Sequence, residues 1–345
     1  MLARVYCRAM KALVRVPGGV TVAEQPDPKP CADEVVVAVH SCGICGSDVH
    51  AVQANVGGAG GIPGHEFSGT IAELGSQVSG WRVGQPVSVN PLGSCGTCEW
   101  CQRELLIRCS GRPNLGLSAP GGFAEYVTVH HSQLFALPDE MPVEYGSRVE
   151  PLAVALRAIA EAKPAPGDNA IVFGVGPIGL HLILALRSAG AGTIVAVGRA
   201  STGRREAAAV CGADAVLDSR ETDVVEYVRS AGLDISQAYE CSADPQALVP
   251  LSHAVRIGGT LVAVGLGWAP ALFDTHSFVA KGQRMFGSCA YGNREFGWAL
   301  ELIGSRTVDV APLISECVSL AEAPDAFVRL RTPGRLVAIL VQPWR

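Results

Sequence analysis

No stretch of this sequence is basic enough to read as a nucleic-acid surface. Its 27 Lys and Arg residues stand against 32 Asp and Glu, for a net charge of -5, and they are not gathered into runs. Phosphate backbones are gripped by clustered cations, so nucleic acid is excluded as a partner. No apolar run reaches the roughly twenty residues that cross a bilayer, so no membrane-spanning helix is expected. Internal repeats and low-complexity tracts are missing as well. Residues 1–10 carry Arg4 and Arg8 but no apolar core, so no secretion signal is expected, and residues 1–9 read as a loose extension before Met10. Charged residues make up only 17% of the chain against 48% hydrophobic, ample material for buried cores. A length of 345 residues predicts two domains. The twelve cysteines, without a signal, point to reduced thiols and metal rather than disulfides, and to a cytoplasmic protein.

The densest chemistry lies between Cys42 and Glu66. The run Cys42-Gly43-Ile44-Cys45-Gly46-Ser47-Asp48-Val49-His50 is followed, after a glycine-rich loop, by Gly64-His65-Glu66. Glycines free the backbone to bring these groups together. Cys45 and His65 have the donor chemistry of zinc ligands, and Asp48 and Glu66 stand beside them as further ligands or as partners that orient the ligands. A buried Cys near a satisfied His is the simpler reading of such residues singly, but the crowding of donors favours metal. Around this stretch, Val35–Val39, the glycine-punctuated span from Ser68 to Val89, and Tyr126–Val129 read as strands of a small β-rich domain. His130 and His131 read as surface residues.

Cys95, Cys98, Cys101 and Cys109 follow the spacing C-x2-C-x2-C-x7-C. Four thiolates close a tetrahedron and leave no position for water, so this zinc site reads as structural. The long last gap, and Ser110 where a ferredoxin run has Pro, disfavour an iron–sulfur cluster. Further on, Glu150-Pro151 places a carboxylate in an apolar stretch. Pro151 is expected to hold Glu150 extended, and the alternative is a carboxylate opening a helix over Leu152–Ile159.

After the linker Lys163-Pro164-Ala165-Pro166-Gly167-Asp168 the pattern changes to alternating strands and helices, which predicts a doubly wound parallel sheet. The strand Ala170–Phe173 leads into Gly174-Val175-Gly176-Pro177-Ile178-Gly179 and an apolar helix that ends near Gly190. In that strand–turn–helix setting, the glycines let the backbone approach a pyrophosphate at a helix N-terminus. Where NAD-binding chains place an acid after the second strand, this one has Gly198-Arg199-Ala200-Ser201, with Arg204 and Arg205 close behind. A guanidinium suits a ribose 2′-phosphate and an acid would repel it, so NADP(H) is expected, held through Arg199, Ser201 and Arg204.

Together these motifs resemble the zinc-dependent medium-chain alcohol dehydrogenase family, from Met10 to the end. The resemblance implies an α/β chain in which a GroES-like β-rich catalytic domain (10–155, with the zinc lobe at 95–109) joins a Rossmann domain (156–288). Residues 289–345 then return to the first domain. It implies a catalytic zinc surrounded by Cys45, His65 and Glu150 or Glu66, hence two zinc ions per chain, and makes Cys42 a small buried residue outside the ligand set. Glu150-Pro151 is most similar to the sorbitol and threonine dehydrogenase branch. Two departures matter. Arg199 stands where most of that branch has Asp, and Gly287-Ser288-Cys289-Ala290-Tyr291 replaces a segment that carries a substrate-contacting Arg in sorbitol-type enzymes.

The implied activity is reversible hydride transfer between NADP(H) and a secondary alcohol or ketone, the substrate a sugar- or cyclitol-like small molecule. Ser47 would bond the substrate oxygen and pass its proton by way of the nicotinamide ribose to His50. A homodimer or homotetramer is expected. The rival reading is a zinc-free or non-catalytic relative serving as a nucleotide-binding partner, and intact Cys45, His65, Glu66 and Glu150 count against it.

Overall fold

The computed structural model describes residues 9–54, 59–199, 202–267, 269–332 and 334–345. The chain begins with an antiparallel hairpin, β1 (Ala9–Val16) and β2 (Gly19–Pro26). Gly18 turns it at a φ of +72°, a conformation that favours glycine. Most of residues 1–9, the expected extension, lies outside the described residues; Ala9 already belongs to β1.

β3 (Glu34–Gly43) is the central strand of the first domain. Its Val35, Val36, Val37 and Val39 are fully buried, and each such side chain contributes roughly 1.5–3 kcal/mol by leaving water. After it come α1 (Gly46–Gln53), β4 (Glu66–Leu74), β5 (Pro86–Val89), α2 (Glu99–Gln102), β6 (Tyr126–His130) and β7 (Leu134–Ala136). β3 pairs antiparallel with β4, in a register that sets Gly43 opposite Glu66. That register brings the end of one motif to the start of the other.

A 3₁₀ turn over Val143–Arg148 leads directly into α3 (Val149–Ala162), which crosses the expected domain boundary. Glu150 is therefore helical rather than extended, a correction to the expectation from Pro151. Pro at this point lies in the first helical turn, where its missing N–H would have had no intrahelical partner, so the helix can start before it. Lys163 ends α3 in the left-handed region at φ +53°, just ahead of Pro164.

The second sheet alternates as its sequence predicts: β8 (Asn169–Phe173), α4 (Pro177–Ser188), β9 (Ile194–Gly198), α5 (Thr202–Val210), β10 (Ala215–Asp218), α6 (Val224–Ser230), β11 (Ile235–Glu240), α7 (Leu248–Ala254), β12 (Val255–Ala263), α8 (Thr275–Ala280) and β13 (Arg284–Gly287). Its six strands are all parallel, in the order β10-β9-β8-β11-β12-β13. This is the doubly wound arrangement, and its order reverses between β8 and β11. The glycine turn after β8 sits at that switch point.

Beyond β13, α9 (Asn293–Gly304) packs on α3. β14 (Ile314–Val318), α10 (Ala323–Arg329) and β15 (Ala338–Val341) follow. β15 pairs with β3, so the first sheet reads β14-β15-β3-β4-β5-β7, with β6 also on β3. The chain's last strands thus lie in the first sheet. Among the described residues no helix is long and apolar enough to cross a membrane.

Candidate metal and cofactor sites

The β3–β4 register assembles the first site. Cys45 caps α1, and its backbone N–H donates to the Asp48 carboxylate at 3.3 Å. His65 and Glu66 arrive at the start of β4. Gly64, at φ +99°, makes this entry possible, because a Cβ there would press on Cys42 Sγ and the Phe123 ring. One donor atom each from Cys45, His65 and Glu66 falls in a group no wider than 4.8 Å. Glu150, buried on the first turn of α3, lies outside that tight group.

The surrounding side chains explain how the three donors are held. His65 Nδ1 faces Asp48 Oδ1 at 3.6 Å, and both atoms are buried without a closer partner among the described residues. A carboxylate behind one ring nitrogen turns the other toward the donor group, and Ser47 Oγ lies 3.5 Å from that Nε2. Burial opposes charge on His65, but Asp48 and then Cys45 outweigh it and raise its pKa well above the ordinary histidine value. Burial also raises the Cys45 thiol, with Glu66 adding to the effect. Glu150 is pushed up to about 7, first by burial and also by Glu66, while His65 pulls the other way.

Sequence reasoning passed over Arg148 and left the role of Tyr291 open. Arg148 donates from Nη2 to Glu66 Oε2 at 2.5 Å, deep in the protein. An arginine two positions before Glu150, at the edge of the apolar stretch that follows, was a signal available in the sequence. Tyr291, in the segment where the sequence departs from sorbitol-type enzymes, is buried, and its hydroxyl has no hydrogen-bond partner among the described residues. Burial raises its phenol well above the ordinary range, and the Glu150 carboxylate adds to the rise. Ser47 and His50 are both exposed, one turn apart on α1.

The second donor set is Cys95, Cys98, Cys101 and Cys109, whose sulfurs also lie within 4.8 Å of one another. The described cysteines are all free of disulfides. Backbone N–H groups point at the sulfurs: Cys98 N to Cys95 Sγ, Cys95 N to Cys109 Sγ and Gly111 N to Cys109 Sγ, each 3.4 Å. Donation from Thr97 and then Cys98 lowers Cys95 to about 5, which favours its thiolate form. Burial instead pushes Cys101 up to about 12. Four free sulfurs converging on one point, with backbone N–H groups aimed at them, fit a tetrahedral zinc.

In the second domain the three motif glycines do different things. Gly174 has φ +108°, and a Cβ there would strike the backbone of Cys241 and Ser242. At Gly179 a Cβ would strike the carbonyl of Gly174. Gly176 meets nothing within 4 Å and leaves its backbone open to approach. Pro177 opens α4 and Ile178 is half-buried beside it. This is the division of labour of a pyrophosphate turn.

A cavity of about 440 Å³ is lined by Gly174, Gly176, Gly198, Arg199, Arg204 and Asp244. Arg199 reaches it from the end of β9, paired with Asp244. Arg204 lines it as well, with its Nε donating to the Leu336 carbonyl at 2.9 Å. Ser201 lies outside the described residues.

A β-rich domain with a Cys–His–Glu donor group, joined to a doubly wound sheet with a dinucleotide turn, defines the class of zinc-binding dehydrogenases. Residues 31–139 match the family model of the alcohol dehydrogenase GroES-like domain, and residues 177–305 that of the zinc-binding dehydrogenase domain. The sorbitol dehydrogenase of Bacillus subtilis is 32% identical over 323 residues, 91% of each chain. The structure of a putative zinc-binding dehydrogenase from Sinorhizobium meliloti, bound to NADP, superposes with a TM-score of 0.91 at 29% identity, covering 98% of this chain and 100% of the other. An Escherichia coli CFT073 alcohol dehydrogenase complexed with NADH superposes equally well, with a TM-score of 0.91 at 26% identity over 97% of this chain and 99% of that one. The chain belongs to the zinc-dependent medium-chain alcohol dehydrogenase family.

Proposed function

We propose that this chain interconverts a secondary alcohol and a ketone using NADP(H), acting chiefly as a reductase on a sugar- or cyclitol-like ketone. The observation that carries the reading is the Cys45–His65–Glu66 donor group, packed within 4.8 Å and combined in one chain with the pyrophosphate turn at Gly174–Gly179. The polyol substrate class is drawn from the sorbitol dehydrogenase relative. The choice of NADP(H) rests on Arg199 at the end of β9, and the NADP-bound neighbour is consistent with it.

Cys45, His65 and Glu66 would hold the catalytic zinc, with Glu150 close enough to act on the same group. Bound there, zinc supplies Lewis acidity to the substrate oxygen. The nicotinamide supplies the hydride, and the protein supplies position and field. Asp48 keeps the His65 ring turned toward the donor group. Ser47 Oγ donates a hydrogen bond to the substrate oxygen and delivers the proton that completes the alcohol. His50, exposed to solvent one turn along α1, would replace that proton. Arg148 holds Glu66 in place through Oε2, and the carboxylate so oriented would serve as a ligand. The lobe of Cys95, Cys98, Cys101 and Cys109 would hold a second, structural zinc.

The test is a panel of sugar- and cyclitol-derived ketones, assayed with the zinc-loaded protein and with NADPH and NADH in parallel. Turnover of at least one such ketone, faster with NADPH, is expected. Cofactor binding with no turnover across the panel and its matching alcohols would favour a non-catalytic nucleotide-binding role.

A further inference from the structure

On the proposed reading, a 2′-phosphate entering beside Arg199 meets guanidinium groups that each already hold a partner through at least one nitrogen. Among the arginines that line this cavity and the neighbouring one of about 500 Å³, Arg204 donates to the Leu336 carbonyl, and Arg220 donates to Asp218 at 2.6 Å. Arg205, on α5, shares the same Asp218 at 2.9 Å. Arg199 stands at the end of β9, where a dinucleotide-binding domain places the ribose, and its Nη2 is already paired with Asp244 Oδ2.

Asp244 is no loose surface acid. Its side chain is 16% exposed, against 61% for Arg199. Its Oδ1 accepts from the Gln246 N–H at 2.9 Å, and its own N–H donates to Ser242 Oγ at 3.1 Å. Ser242 is in turn tied to Glu240, itself buried at the end of β11. Ala243, just before it, sits at φ +58°. The carboxylate is therefore tied to the β11–α7 loop by backbone contacts, while the more exposed guanidinium is held through Asp244.

We infer that Asp244 sets the cofactor preference of this chain, its carboxylate competing with the ribose 2′-phosphate of NADP(H) for Arg199. The inference rests on Arg199 being the phosphate's ligand. The guanidinium keeps Nε and Nη1 without hydrogen bonds among the described residues, so phosphate and Asp244 can share it. They share it as like charges, and their repulsion offsets part of the attraction that Arg199 supplies. An NADH ribose carries no phosphate and meets no such penalty. Asp244 thus narrows the gap between the two cofactors.

The experiment titrates NADPH and NADH into zinc-loaded wild type, Asp244→Asn, Asp244→Ser, Arg199→Ala and the double variant Arg199→Ala/Asp244→Asn, following nicotinamide fluorescence. Asp244→Asn keeps the carbonyl that accepts from Gln246 and removes only the charge. It should tighten NADPH about threefold to tenfold, as for one exposed charge contact, and leave NADH within about twofold. The gain should shrink as salt is raised and vanish in the double variant. Asp244→Ser should move NADPH in the same direction, with melting temperatures reporting that both variants are folded. Suppose Arg199→Ala lowers the NADPH:NADH affinity ratio while both Asp244 variants leave it unchanged or lower it. Then Asp244 does not compete, and this inference alone is overturned. If Arg199→Ala itself leaves the ratio unchanged, the phosphate is not held at Arg199, and the cofactor reading falls together with the inference.

Discussion

Arg148 and Glu66 form a buried ion pair directly behind the candidate catalytic metal group, 2.5 Å apart with side-chain exposures of 1% and 3%. Gly43, opposite Glu66 in the β3–β4 ladder, is what gives the pair its room: a Cβ there would overlap both the guanidinium and the carboxylate. A charge buried at this depth is tolerated only while it is paired. In metal-free protein, Arg148→Met strands the Glu66 carboxylate and is expected to lower the unfolding free energy by about 3–5 kcal/mol. Gly43→Ala should act in the same direction by displacing the guanidinium. Urea unfolding checks both, and a loss under about 1 kcal/mol for Arg148→Met would show that Glu66 is neutralised some other way.

The two donor groups share no residue, so fresh protein should carry two zinc ions per chain. Cys98→Ser removes one sulfur from the four-thiol lobe and should cost one zinc and much of the stability, because binding to a structural site is also folding energy. His65→Ala should cost the other zinc with little change in melting temperature. Elemental analysis decides this: one zinc in wild type, or iron with visible absorbance, would contradict the count.

His181 gives the fold a specific weakness to acid. It is fully buried on α4, with Nδ1 2.7 Å from the Pro177 carbonyl and Nε2 without a partner among the described residues. Burial first, and Arg148 second, lower its pKa to about 4. A depressed pKa means that the unfolded chain takes the proton more readily. The contribution to stability is therefore complete above the unfolded value of about 6.5 and is lost as pH falls through the window down to about 4. The loss should approach roughly 3 kcal/mol. His181→Leu should flatten that part of the stability–pH curve, and a curve of unchanged slope would show that the ring does not titrate there.

Arg199→Asp replaces an attraction with a repulsion at the mouth of the cofactor cavity. Charged hydrogen bonds of this kind are worth roughly 1.5–3 kcal/mol, so NADPH should weaken by about tenfold or more while NADH holds or improves. Titrating both cofactors at fixed salt checks it. An unchanged ratio would make Arg199 a solvated surface residue.

Much of this was legible in the sequence because its signals are local. Cys45 and His65 stand in glycine-separated runs, the four cysteines keep a tetrahedral spacing, and Gly174 to Gly179 follow a strand. What escaped depends on contacts remote in the chain. Arg148 finds Glu66 82 positions away, and Arg199 finds Asp244 45 positions away. No periodicity or propensity encodes either pairing. Glu150 had two readings, extended before Pro151 or opening a helix, and the structure takes the second. The bias of a residue before proline toward extended backbone is real, but a first helical turn needs no N–H from that proline, and the apolar face of α3 carried the helix past it.

The most direct measurement is ketone reduction by zinc-loaded wild type and His65→Ala side by side, with NADPH and with NADH, on the best substrate of the panel. His65→Ala should bind NADPH as wild type does and keep its fold, yet lose turnover with both cofactors. Wild-type turnover surviving in His65→Ala would contradict a zinc-dependent mechanism at Cys45, His65 and Glu66.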